Sequence, residues 1–280
     1  MIIPIQLVMN FTAMIPFALT WYVGMTNWIP QLTPFFWEAE FVGLANFLKI
    51  PGDDLFIGSI ARTLLIVGLC VPIEFLLGFS QAYVLSGDFR GRQFIRVIAI
   101  VPMMMVPIVT GYVFYLMFIP AGPLSSIINF FTGGTQPIQF LADPNLALMA
   151  IMLADIWQWT PFMFLIFISS ILALPQDPIN ASYVLGASRG YTFRRVMLPM
   201  LRTPIMIALI LRTIECFKIF DVPYIMTQGG PGYSTFTIQM HLYESGFKYL
   251  QYGYTNAQSL LIFITMIIVG WYASKPLRAP

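Results

Sequence analysis

Along this chain the apolar positions form long unbroken runs rather than the alternation of strands or the narrow seam of a coiled coil. A bilayer core of about 30 Å takes about 20 mostly apolar residues per helix. Measured with that ruler, the sequence predicts six spans: Ile2 to Met25, Arg62 to Leu85, Phe94 to Phe118, Leu146 to Leu174, Pro204 to Tyr224 and Ala257 to Ala273. Pro72, Pro102, Pro107 and Pro161 fall inside them and predict kinks, because neighbouring helices can satisfy the backbone groups a proline frees.

Composition supports the pattern. Of 280 residues 58% are hydrophobic and 9% charged, with a formal net charge of +2 and mean hydropathy +0.79. A soluble domain carries about a quarter charged residues, and a disordered chain has the opposite bias. The expectation is an all-α, polytopic membrane helical bundle. With no internal repeat, it reads as one transmembrane domain over 1–280.

Lys and Arg distribution orients the spans. Arg90, Arg92 and Arg96 follow span 2; Arg189, Arg194, Arg195 and Arg202 follow span 4; Lys275 and Arg278 end the chain. Only Lys49 and Lys248 lie on the other side. The positive-inside rule then places both termini in the cytoplasm of a multi-pass cell-membrane protein, with external loops at about 26–61, 120–145 and 225–256. Trp28, Phe35, Phe36, Trp37 and Tyr249 suit headgroup depth. No cleavable leader is evident, and the missing basic leader suggests a trimmed start.

Candidate chemistry is sparse. Cys70 and Cys216 sit in apolar runs, so neither a disulfide framework nor a metal site is expected. His241 reads as a solvated loop residue with no group to orient it. No phosphate-binding Gly-x-x-x-x-Gly-Lys-Ser/Thr loop occurs, so ATP is not cradled here, and nothing points to nucleic acid. Inside the spans, Asp155, Gln158, Trp159 and Phe162 recur at i, i+3, i+4 and i+7, as do Arg212, Glu215, Cys216 and Ile219. Each set lies on one helix face. Intramembrane polar residues normally face a bundle interior or wet cavity, so two readings stand. The stripes line a substrate pathway, or Asp155 or Glu215 pairs with Arg212 to tie spans 4 and 5. Glu74 reads as a structural hydrogen-bonding group, and Lys218 and Asp221 as snorkelling residues.

The segment at about 175–200 is the most informative. Asp177 and Pro178 predict a helix start; Ala181, Ser182, Gly186 and Ala187 make a side-chain-poor surface; Gly190 predicts its end or a bend. Phe193, Val196 and Met197 follow as an apolar stripe, with Arg194 and Arg195 open to solvent.

These residues carry a resemblance. Asn180-Ala181-Ser182, Leu185-Gly186-Ala187, Phe193 and Val196-Met-Leu198-Pro199 stand at the spacing of the coupling helix in permeases of binding-protein-dependent ABC importers, of the maltose and glycerol-3-phosphate type. Phe41-Val-Gly-Leu-Ala-Asn-Phe47, Phe89-Arg-Gly-Arg-Gln-Phe-Ile-Arg96, Leu141-Ala-Asp-Pro-Asn145, Phe217-Lys-Ile-Phe-Asp-Val-Pro-Tyr224 and Thr227-Gln-Gly-Gly-Pro-Gly232 also resemble that family, in order. The family's usual Glu and Asp are replaced by Asn180 and Leu185. The resemblance implies a type I importer fold with a cytoplasmic coupling helix and a homologous second permease. It also implies a cytosolic ATPase dimer holding ATP and Mg, an external solute-binding protein, and a lipid-embedded sugar or oligosaccharide pathway without catalysis on this chain. An anionic solute such as glycerol 3-phosphate or a uronate oligosaccharide remains open, since Arg212 would suit it and a neutral sugar would suit an Arg neutralised by Glu215. A secondary transporter, channel or membrane enzyme is disfavoured. Two matching interrupted halves, a selectivity filter and converging catalytic groups are each missing.

Overall fold

The computed structural model describes residues 2–134 and 136–278, with side chains at 2–5, 7 and 276–278 left aside. Arg278 therefore lies outside the described side chains. Among the described residues the chain is helical, without a sheet; Thr26 and Phe41 form an isolated antiparallel bridge.

Each of the six expected spans is helical over most of its length. Asp54–Leu85, Pro107–Thr132, Pro144–Leu172 and Tyr252–Lys275 are long and apolar enough to cross a membrane. Arg189–Met200 and Arg202–Phe217 make a fifth if taken as one span bent by 64°. The first helix, Ile2–Gly24, is 23 residues long, with Val8–Gly24 as its described apolar stretch.

The prolines act unequally. The helices Asp54–Leu85 and Pro144–Leu172 run on through Pro72 and Pro161. Span 3 instead breaks into Arg92–Ile100, a 3-10 turn Val101–Met104 and Pro107–Phe118. Met105 and Val106 between them are extended, as the residue before a proline prefers. Span 5 ends at Phe217, short of the expected Tyr224, and a separate helix Asp221–Thr227 follows. Pro223 stands in its first turn, where a missing N–H costs nothing.

Contacts divide the chain into two compact units. The first comprises Met1–Ala61 and Thr237–Tyr272. Its backbones approach closely: a Cβ on Gly253 would lie 2.1 Å from the Thr26 carbonyl oxygen, and one on Gly24 3.2 Å from the Ala257 nitrogen. Asn46, from the motif at 41–47, is buried and donates from Nδ2 to the carbonyls of Gly24 (3.0 Å) and Thr26 (2.8 Å). That explains an amide where the chain leaves its first helix, since buried carbonyls need partners. His241 is not the solvated loop residue expected. It sits buried on the helix Ile238–Tyr243, edge-on to Phe56 and 3.1 Å from the Gln258 amide, with Asp53 3.8 Å away.

The second unit comprises Arg62–Phe236 and Ala273–Pro280. Pro144–Leu172 is its centre: Asp143 caps it by accepting from the amides of Asn145 and Leu146, with Pro144 at the first position, so the Leu141–Asn145 motif is a helix start. Ala150, Ile151, Ala154, Met163, Phe164 and Phe167 from this helix are buried. Gly78 lets the Asp54–Leu85 helix lie against it, because a Cβ there would fall 2.5 Å from Met163 Cβ. Phe75 and Phe79 pack edge-on against Phe167, and Phe79 and Tyr83 meet Phe193. Leu76, Leu77 and Val84 point outward and exposed, as a lipid-facing surface requires.

Candidate functional site: a buried ion-pair knot beside a cavity, and an exposed hairpin

Arg212 is the largest fully buried side chain, 1% exposed. Its Nε donates to Glu74 Oε2 at 2.5 Å and its Nη2 to Glu74 Oε1 at 2.8 Å, a bidentate fork. Nη2 also donates to Asp155. Trp159 lies with its ring centroid 5.0 Å from the guanidinium carbon. Three helices, Asp54–Leu85, Pro144–Leu172 and Arg202–Phe217, are thus joined by one cation between two carboxylates. Burial explains the arrangement: an unpaired charge in this environment would cost several kcal/mol, on the order of the effective penalty per buried ion.

Two expectations need correction. Arg212 is not paired by Glu215; Glu215 is exposed and receives Lys218 Nζ at 2.8 Å one turn on. Asp155, Arg212 and Cys216 are buried together, the Cys216 thiol 3.7 Å from Asp155, so most of the two stripes faces inward. A cavity of about 310 Å³ opens beside them, lined by Asp155, Gln158, Trp159, Arg212, Glu215 and Ile219 of the expected set. Phe162, edge-on to Trp159, and Cys216 are not among its lining residues. Lys218, Phe220 and Asp221 are, although Lys218 and Asp221 are expected from their place near the end of span 5 as snorkelling residues. Their i+3 spacing from Glu215 and Lys218 was the available signal. Gln158 spends its Nε2 on the Met105 carbonyl at 3.0 Å, holding the break in span 3.

The hairpin at 175–200 is built differently from its predicted punctuation. Its helix is Gln176–Val184 with Pro175 at the cap, and Asp177 makes no capping bond. The helix ends at Gly186, φ +82°, not at Gly190. Gly186 N–H bonds the Tyr183 carbonyl and Ala187 N–H that of Ser182, the Schellman arrangement a left-handed glycine permits. Gly190 lies inside the next helix, Arg189–Thr192, whose N-cap is Ser188. Ser182 and Thr192 hydroxyls meet at 2.9 Å and tie the two arms. The tip is apolar and bare: Val184 is 87% and Leu185 86% exposed, and Asn180, Ala181, Gly186, Leu198 and Pro199 are exposed too. Phe193 is turned instead onto Phe79 and Tyr83, in a π-helical turn Phe193–Met197.

Among the described residues no group of His, Cys, Asp and Glu is placed to hold a metal ion. Apolar spans surround a charged knot with a cavity beside it, and a side-chain-poor hairpin accompanies them, an arrangement that belongs to the class of multi-pass helical membrane proteins. Residues 74–276 match the family described as binding-protein-dependent transport system inner membrane component, and the chain belongs to it. Similar proteins include the trehalose/maltose transport system permease protein MalF of Thermococcus litoralis, 31% identical over 95% of this chain and 88% of that one. The sn-glycerol-3-phosphate transport system permease protein UgpA of Agrobacterium fabrum is 29% identical over 82% and 78%. In fold the chain is similar to one in the crystal structure of a bacterial alginate ABC transporter in complex with alginate pentasaccharide-bound periplasmic protein. The TM-score is 0.84, at 17% identity, covering 99% of this chain and 93% of that one.

Proposed function

We propose that this chain forms half of the translocation pathway of an ATP-driven, binding-protein-dependent importer of a sugar or oligosaccharide. The other half is a homologous permease subunit. The hairpin at 175–200 is the joint: it docks in a cytosolic ATPase dimer that holds ATP and Mg, and carries that dimer's closure into the spans. The cavity at Asp155, Trp159 and Arg212 receives solute from an extracytoplasmic binding protein, and both termini face the cytoplasm. Alternating access of this kind needs a rigid element at each end of the motion. The observation that supports the reading most is the hairpin itself, a Schellman-closed turn presenting Val184 and Leu185 to water, where a folded surface would ordinarily hide them. With Asn180 and Leu185 at the positions of the family's acids, its docking rests on shape and apolar contact rather than on ion pairs.

The test is uptake by vesicles carrying the assembled complex, with solute-loaded binding protein outside and ATP inside. Uptake that needs internal ATP supports the proposal; uptake driven by an ion gradient without ATP refutes it.

A further inference from the structure

The cavity beside Arg212 looks suited to an anion until its charges are paired off. Arg212 is already neutralised: the carboxylates of Glu74 and Asp155 hold it, Trp159 covers it, and it is 1% exposed. Lys218, the second cation on the wall, is engaged by Glu215 at 2.8 Å. Asp221 adds a further carboxylate. On the wall itself two cations, Arg212 and Lys218, therefore stand with three carboxylates, Asp155, Glu215 and Asp221, and the balance is acidic. A wall of this sign repels a phosphate, sulfonate or uronate group. A neutral polyol meets the opposite situation. Glu215 and Asp221 accept from hydroxyls, and the rings of Trp159 and Phe220 provide flat apolar faces.

We infer that this subunit selects by charge: its cavity admits neutral saccharides and disfavours anionic ones, with the Glu215–Lys218 pair as the adjustable part. The inference rests on the reading of the chain as an import permease. It is independent of the relatives, whose named solutes include both trehalose/maltose and glycerol 3-phosphate.

The experiment uses the assembled transporter in nanodiscs and two probes of matched length, maltotriose and trigalacturonate, in equilibrium binding at low and high salt. ATP-driven uptake is measured in parallel. Maltotriose is expected to bind about tenfold tighter or more, a difference of about 1.4 kcal/mol, with the gap shrinking at high salt. Glu215→Gln, which releases Lys218, is expected to narrow the ratio about 2- to 5-fold, the range of an exposed ion pair. Trigalacturonate binding as tightly as maltotriose, maltotriose failing to bind, or a ratio unmoved by Glu215→Gln would each overturn the inference. Loss of ATP-driven uptake for every solute would instead overturn the import reading.

Discussion

Replacing Arg212 by Met tests whether the knot holds the second unit together. The substitution leaves Glu74 and Asp155, 0% and 2% exposed, facing each other without a cation. Removing one partner of a buried pair costs about 3–5 kcal/mol, because the remaining charge keeps its desolvation penalty. At about 2–4 °C per kcal/mol for a unit of this size, the melting midpoint falls by about 6–20 °C. Cys70 and Cys216, the chain's two cysteines, are both fully buried, so a thiol-reactive dye reports unfolding of the unit directly. The control is the triple variant Glu74→Leu, Asp155→Leu and Arg212→Met, which removes all three charges and is expected to recover most of the loss. An Arg212→Met midpoint within about 2 °C of the parent, or a triple variant no better than the single one, would refute the charge argument.

Other outcomes follow from the same geometry. Gly78→Val drives a side chain into Met163 and the Phe164 backbone, and should cost at least about 1–3 kcal/mol by overpacking, read as a lower midpoint in the dye assay. Asp155→Ala should impair assembly, measured by co-purification of partner subunits, whereas Glu215→Ala should leave assembly intact and alter only solute handling. Gly186→Leu must adopt φ +82°, a strain of about 1–2 kcal/mol, and fills the hairpin surface; binding-protein-stimulated ATP hydrolysis should fall while membrane insertion persists. Asn46→Ala strands the Gly24 and Thr26 carbonyls, costing about 1–3 kcal/mol, visible as faster hydrogen exchange at Asn27 and Trp28.

The spans were legible because lipid demands continuous apolar runs, and the helix start at Asp143–Pro144 because caps are local chemistry. Partner choice was not. Glu74 lies 138 residues from Arg212, and no periodicity links residues on different helices. Glu215 stood nearer in sequence, but its turn points it at Lys218. The hairpin's end was misplaced for a similar reason: Gly186 and Gly190 both fit a stop, and only the backbone bonds of Ala187 and Gly186 distinguish them. His241 reads as a loop residue by composition, yet Phe56 and Gln258, distant in sequence, enclose it.

The break at Met105–Val106 has a mechanical side. The Gln158 amide donates to the Met105 carbonyl, so the bend of the third span is tied to the Pro144–Leu172 helix as an elbow is to its support. A stiff bent rod does not fold further when one arm is pushed. It swings, so a small displacement of the Arg92–Ile100 arm would sweep Pro107–Phe118 sideways as a lever, with the amide of one glutamine as its pin.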